Sequence, residues 1–522
     1  MTPSFNLISE PWLPCLTSDG KVCEYGLRDV LALSPDLAEI VDASPLITVS
    51  LHRLLLAVLH RNFGPRNSAA WRKLWAAGSF DMDVLDSYFE KWHGRFDLFG
   101  AERPFYQTPL DEEGMWTTVA KLAHERASGN NAVLFDHNSD SQPTSVTAAE
   151  AARLVVTQQS LSLGGLIGIE GGRASATSAP LVGSAVLLVN GANLFETLLL
   201  NLVPYSPDQG LPQIGTYDAD CPAWEQDEIV QPGETRLPKG YLDYLTWQSR
   251  RLYLRPPVDA ACGVSECIVS RGREFPKDYF PRDPFMMLIR REKAPTGQNP
   301  WPAVRLREDR ALWRDSHALF GSVPNQVTRP AVVDELARLA QAGALPPAKR
   351  YQVSVFGMAS NQAKVFLWRH ERQPLPLLYL ESEALVEALR DSLRLTETVR
   401  SEALGKALWR LAEETLAPGD DREPDRGALG TLMDSYPASR LYWEALETPF
   451  RELVMDLADK PEQAGDLKRG WAETVRRQAT DALRDTTSGL KTDARNLRAV
   501  TAASSLLGGK LRKIIGDFTG GG

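Results

Sequence analysis

The 522-residue sequence predicts an α+β protein, with a large irregular mixed α/β domain over residues 1–378 followed by a C-terminal four-helix bundle over 379–522. Three observations lead there. Up to about residue 375, short apolar runs are cut by many Pro and Gly breaks and do not alternate with helical patterns regularly enough for a doubly wound sheet. After about residue 380 the texture changes to long helical periodicity. Hydrophobic content of 43% and charged content of 24% are those of a folded globular chain, long enough for a sizeable core and two or more domains.

In the first part, strands are expected at residues 5–8, 185–189, 285–288 and 351–355, and helices at 46–60 and 193–202. The loops 138–147 and 231–239 are polar or Pro/Gly-rich and read as mobile surface segments. In the second part, helical segments are expected at 381–416, 427–459, 468–487 and 492–515. Leu497, Val500, Ser504, Leu507, Leu511 and Ile514 fall at spacings of three and four, hence on one face of the last helix. Pro437 and Pro449 should break the second segment into shorter pieces. Four amphipathic helices with short connections imply a bundle. There is no internal repeat and no long low-complexity tract.

Net charge is −9, which at first argues against a nucleic-acid partner. The average hides an asymmetry: residues 468–513 hold eleven Lys and Arg against four Asp and Glu, a balance of +7, leaving −16 for the rest. The last part can therefore meet a polyanion, or simply carry the solvated faces of amphipathic helices. Five scattered cysteines do not make a disulfide framework and fit a reducing cytoplasm. The amino terminus lacks the features of a signal peptide, and no apolar stretch is long enough to span a bilayer, so no membrane role is implied.

Catalytic chemistry finds little support. No HExxH, phosphate loop or GxSxG elbow occurs. Cys262 and Cys267 stand alone as a pair where a structural zinc would need further ligands. Residues 217–228 offer Asp218, Asp220, Glu225, Asp227 and Glu228, the carboxylates that a metal-dependent hydrolase would need, but in a Pro-containing polar stretch that reads better as a solvated loop.

Two features point elsewhere. SLSLGGLIGIEGG, residues 160–172, follows a helix-like stretch with five glycines, which either make a tight helix-to-strand connection or let the backbone approach a sugar-phosphate chain. In GMASNQAKVFLWR, residues 357–369, Gly357 and Ser360 favour a turn and Val365 to Trp368 a strand. Asn361 and Gln362 would then sit at the mouth of a hairpin, capping their own backbone or meeting base edges and wedging between base pairs.

Set in order, FNLISEPWLPC, ERPFYQT, NNAVLFDHNSD, the Gly164-Gly165 loop, CPAW, YLTWQSRRL, the Asn-Gln pair and the helical end resemble the CasA family, the large subunits of the type I-E CRISPR Cascade surveillance complex. The resemblance covers nearly the whole chain. It implies a subunit without catalysis that inspects double-stranded DNA for the protospacer-adjacent motif, mainly from the minor groove, and starts strand separation so that guide RNA can pair. By similarity Ser162, Leu163, Gly164 and Gly165 form a glycine loop, and Asn361 with Gln362 a wedge. Lys277 is the candidate lysine finger, with Arg273 close enough to compete. Asn130, Asn131, Phe135 and His137 belong to a loop implied to meet the guide RNA and neighbouring subunits.

Implied partners are the guide-RNA-containing Cascade complex with its backbone, small and handle-binding subunits, target double-stranded DNA with its displaced strand, and the CRISPR helicase-nuclease. Arg476, Arg477, Arg484, Lys491, Arg495 and Arg498 are candidates for a strand-binding or subunit-facing surface. Some relatives hold zinc with two cysteine pairs; here PTSVTAAEAA stands where the first would fall, so neither metal nor cofactor is expected. The competing readings are a metal-dependent hydrolase and a purely structural scaffold.

Overall fold

The structure is a computed structural model that describes residues 4–110, 115–125, 145–169, 171–204, 220–258, 262–291, 293–295, 298–307, 310–321, 327–346, 349–361, 364–417 and 424–520. The chain folds as two compact units, residues 1–308 with 322–373, and residues 309–321 with 374–522.

The first unit is mixed α and β. Leu13–Thr17 lies between Val22–Tyr25 and Leu37–Ile40 in a three-stranded antiparallel sheet. A second sheet orders Lys364–Pro376, Arg350–Asn361 and Val186–Asn190. A third joins Thr117–Thr118, Glu266–Arg271, Gly165–Ile169 and Gly172–Ala176, with Arg250–Leu254 also paired to Glu266–Arg271. The helix Pro45–Phe63 begins on its proline, which needs no amide partner there, and residues 46–60 are all buried. Helix Ala148–Leu161 is capped by Thr147, whose hydroxyl accepts from Glu150 N, and runs directly into the glycine loop.

Several sequence expectations are corrected here. Residues 5–8 form no strand: the Asn6 side chain accepts from Ile8 N and turns the chain, leaving an isolated bridge to Asp97. The expected strand at 285–288 shrinks to Leu288–Ile289, because the Asp283 carboxylate engages Phe285 N and bends the entry. Gly357 and Ser360 are not a turn but part of strand Arg350–Asn361, and Gly357 is required by close approach, since a Cβ there would lie 2.5 Å from Ser184 O. Loop 231–239 is tied down: Gly233 N donates to Gly272 O, and the Arg236 guanidinium pairs with Asp243 while lying over the Trp247 ring at 4.7 Å.

The second unit is helical. Glu383–Thr398 passes through a π-helical stretch, Val399–Gly405, into Lys406–Leu416; Arg426–Ser435, Ala438–Asp459, Ala464–Ser488 and Ala494–Gly520 follow. Pro437 separates two helices, whereas Pro449 stays inside Ala438–Asp459 without ending it. Leu446, Phe450 and Leu453, buried on either side of Pro449, hold the helix together by packing. The last helix buries Ala499, Ala503, Leu507 and Leu511 and leaves Leu497 55% exposed, so its inner face is rotated from the expected one. Small alanines let it approach Lys406–Leu416, the helix it packs against most extensively. Segment 309–321 joins this unit because Trp313 is buried against Phe450 at 4.7 Å and Arg314 stacks on Trp443 at 3.7 Å.

Candidate nucleic-acid interface

The glycine loop is built where the helix Ala148–Leu161 ends. Ser162 is 2% exposed, its hydroxyl bonded back to Gln158 O at 2.6 Å, so the chain leaves the helix on a fixed path. Ser162 O then accepts from Ala179 N at 2.9 Å and Gly164 N donates to Ser178 Oγ at 3.1 Å, which fastens the two arms of the loop. A Cβ on Gly164 would lie 2.9 Å from Ser178 Oγ and 3.1 Å from Ala176 O. A larger residue would have to displace the Ser178 hydroxyl and press on the Ser178 and Ala176 backbone. Gly165 has φ +148 and is exposed, a conformation side chains rarely adopt. It opens a hairpin in which Gly165 faces Ala176 and Leu166 faces Ser175, with Leu166 76% exposed.

Beneath the loop lies Arg250, 3% exposed, whose guanidinium donates to Leu163 O at 2.8 Å and Thr177 O at 2.9 Å. Burial pulls its pKa down to about 10, so it remains a cation at neutral pH. Thr177 N in turn donates to Glu274 Oε1 at 3.4 Å, and the Arg271 guanidinium beside Glu274 holds that carboxyl below the usual carboxylate range. Glu274 thus joins one arm of the glycine loop to the base of the segment that carries Lys277.

That segment is pinned on both sides. Phe275 stacks on Trp247 at 4.5 Å, and Asp283 accepts from Arg53 at 2.7 Å and from Tyr244 Oη at 3.0 Å in a buried cluster. Between them Lys277 is exposed and, among the described residues, makes no ion pair. Arg273 is the opposite: it is 2% exposed, donates to Gln226 Oε1 at 3.1 Å and pairs with Glu234 at 3.2 Å. The Arg273 guanidinium is thus buried and engaged within the fold, whereas the Lys277 side chain is at the surface.

Asn361 ends the strand Arg350–Asn361, and the partner strand starts at Lys364. Gln362 lies outside the described residues, as do Asn130, Asn131, Phe135 and His137. The acidic stretch is not a solvated loop throughout. Asp220 is buried and accepts from Leu242 N and Asp243 N; Glu225 is buried between Arg61 and Tyr88 Oη; Asp227 and Glu228 pair with Arg95 and Lys239. Asp218 lies outside the described residues. Each placed carboxylate is spent on a separate structural bond, and among the described residues no three His, Cys, Asp or Glu are grouped to hold a metal.

In the bundle, Arg476 pairs with Glu473, and Arg484 with Asp481 and Asp485, so much of their charge is locally balanced. Arg495 donates to Thr415 O. Arg477, Lys491 and Arg498 are exposed or half-exposed and, among the described residues, have no acidic partner. Reading the sequence missed Arg250, Ser178 and Glu274, all of them supports for the loop. The only signal was that Arg250 lies within YLTWQSRRL, a stretch noted for its pattern and not for a role.

The chain matches a CRISPR-associated family: the family described as CRISPR-associated protein Cse1 matches residues 6–482. A CRISPR-associated protein CasA/Cse1 from Thermus thermophilus is 35% identical over 520 residues, 97% of this chain and 96% of that protein. The chain belongs to the CasA/Cse1 family. A crystal structure of CasA from Thermus thermophilus superposes with TM-score 0.79 at 31% identity, covering 98% of this chain and 100% of that one. Thermobifida fusca Cse1, at 24% identity, shares the fold with TM-score 0.79 over 98% of each chain. The same fold occurs in a chain of a CRISPR RNA-guided surveillance complex, with TM-score 0.77, 24% identity and coverage of 97% and 99%. No helix among the described residues is long and apolar enough to cross a membrane.

Proposed function

We propose that this protein is the non-catalytic large subunit of a type I-E Cascade surveillance complex, acting in the cytoplasm. In this reading it recognises the protospacer-adjacent motif in double-stranded DNA, starts strand separation for the guide RNA and helps recruit the helicase-nuclease. The observation that carries this reading is the glycine loop. A Cβ at Gly164 would crowd Ser178, and the φ of Gly165 favours glycine, which leaves backbone without side chains beside an exposed hairpin. Backbone without side chains can approach a phosphate chain or a narrow groove closely, which side chains would keep at a distance.

The steps have a physical order. Loop backbone and Lys277 grip the acceptor-rich minor groove, which reads sequence only loosely because its pattern is degenerate. Asn361 and Gln362 then enter beside the recognised pairs and disrupt stacking, at a cost of roughly a few kcal/mol per step. Guide pairing offsets that cost, a division of labour known for a different RNA-guided effector. The unpaired cations Arg477, Lys491 and Arg498, with Arg495, suit contact with displaced strand or neighbouring subunits; Arg476 and Arg484 contribute less net charge.

The test is duplex binding by the complex reconstituted with Gly164→Asp. A carboxylate crowded against Ser178 and facing DNA should weaken motif-dependent binding about tenfold or more. Undiminished binding would remove the loop from the interface. The hydrolase reading predicts metal-dependent turnover by the isolated chain, and the dispersed carboxylates do not support it.

A further inference from the structure

The best-buried support of the glycine loop is a cation, Arg250. Arg250 donates to Ser249 O at 2.7 Å, Leu163 O at 2.8 Å and Thr177 O at 2.9 Å. Leu163 and Thr177 lie on opposite arms, just outside the Gly165 and Ala176 pair that opens the hairpin. The backbone of Arg250 is fixed as well: its N donates to Gln159 Oε1 at 3.1 Å while its O accepts from Gln159 Nε2 at 3.1 Å, on the helix that leads into the loop. Arg250 is 3% exposed, and among the described residues it forms no salt bridge.

The Glu274 carboxylate favours the Arg250 charge from nearby without a salt bridge, but burying a guanidinium mainly against carbonyls is expensive, and a well-packed apolar side chain of similar size is often as stable or more so. What an apolar residue cannot do is span two acceptors on separate arms of a loop with a rigid fork, or place positive charge behind a surface that meets an anion. Lysine supplies the charge but donates as a compact point and lacks the fork.

We infer that Arg250 is a positioning residue for DNA recognition, locking the two arms of the glycine loop so that the Gly164 and Gly165 backbone meets DNA in one geometry, with a cation behind it. The inference rests on the reading of the loop as a DNA-contacting element. The contact itself is made by the loop; Arg250 acts through it.

The experiment uses complexes reconstituted with Arg250→Gln, Arg250→Lys or Gly164→Asp. It compares affinity for a motif-bearing duplex with affinity for a single-stranded target that pairs with the guide and needs no opening. Arg250→Gln should lower duplex affinity about tenfold and leave single-strand affinity within about twofold of wild type, and Arg250→Lys should restore only part of the loss. Wild-type duplex binding by Arg250→Gln, with binding abolished in Gly164→Asp, would overturn the inference and leave the loop reading intact. Equal loss of both affinities in the two Arg250 variants, or failure of both to assemble, would reduce Arg250 to a structural role and overturn it too. Wild-type duplex binding by Gly164→Asp would instead overturn the loop reading, and the inference with it.

Discussion

The two units treat charge in opposite ways. Among the described residues, every buried Arg, Asp, Glu and His belongs to the first unit: Arg53, Arg250, Arg273, Asp220, Asp243, Asp283, Glu225, Glu274, Glu335, His52 and His60. Among the described residues of the second unit, the buried Ser and Thr side chains Ser316, Ser392, Thr396 and Thr486 carry hydroxyls and no charge. A helix satisfies its own backbone, so the bundle is closed by apolar packing with charges left in water. An irregular α/β unit with many loops has carbonyls and amides to satisfy away from any ladder, and buried charges bind them. The difference teaches where function can be built: fixed loops in the first unit, and an adjustable charged surface on the second.

Breaking the cluster that pins the Lys277 segment should have the largest effect. Arg53→Met leaves the Asp283 carboxylate buried without its cation and should cost the first unit roughly 3–5 kcal/mol in denaturant unfolding, most of it recovered in Arg53→Met with Asp283→Leu. A loss no larger than that of a surface pair would show that the buried charges are not what holds the loops.

Acid should separate the units next. Burial lowers the His60 pKa to about 3 and the His124 pKa to about 4, and also lowers that of His52. The unfolded chain binds protons at these sites below about pH 6.5 while the folded first unit refuses them. Its stability is therefore full above that pH and falls as pH drops toward 4, by roughly 1.4 kcal/mol per pH unit for each histidine so shifted. Hydrogen exchange between pH 7 and pH 5 should show amides of the first unit losing protection before those of the bundle. Equal losses would blur the distinction.

The smallest effects belong to the bundle surface. Arg476→Ala, which breaks an exposed pair, should change stability by less than about 1 kcal/mol. Arg477→Gln with Arg498→Gln should leave folding unchanged while making polyanion binding less sensitive to salt, the log–log slope falling by about one for each phosphate no longer neutralised. An unchanged slope would assign this surface to protein partners.

Legibility in the sequence followed the same divide. The helices of the second unit were readable because periodicity is local, although the exact inner face of the last helix turned on the small size of Ala499 and Ala503. Gly357 was misread as a turn because its reason is an approach to Ser184, far away in sequence. The glycine loop was visible as a cluster of glycines; its support was not, because Arg250 reaches Leu163 and Thr177 across 87 and 73 residues. Arg273 and Lys277, close neighbours in the chain, were indistinguishable until packing buried one and exposed the other.

In the proposed function the first unit opens DNA beside a motif that its loops grip. The most direct measurement follows strand separation at the motif, with a fluorophore and quencher on opposite strands, in complexes carrying Asn361→Ala with Gln362→Ala. Initial duplex binding should be retained while opening slows about tenfold or more, as expected for loss of a wedge that helps meet the cost of unstacking. Opening at the wild-type rate would contradict the proposed function.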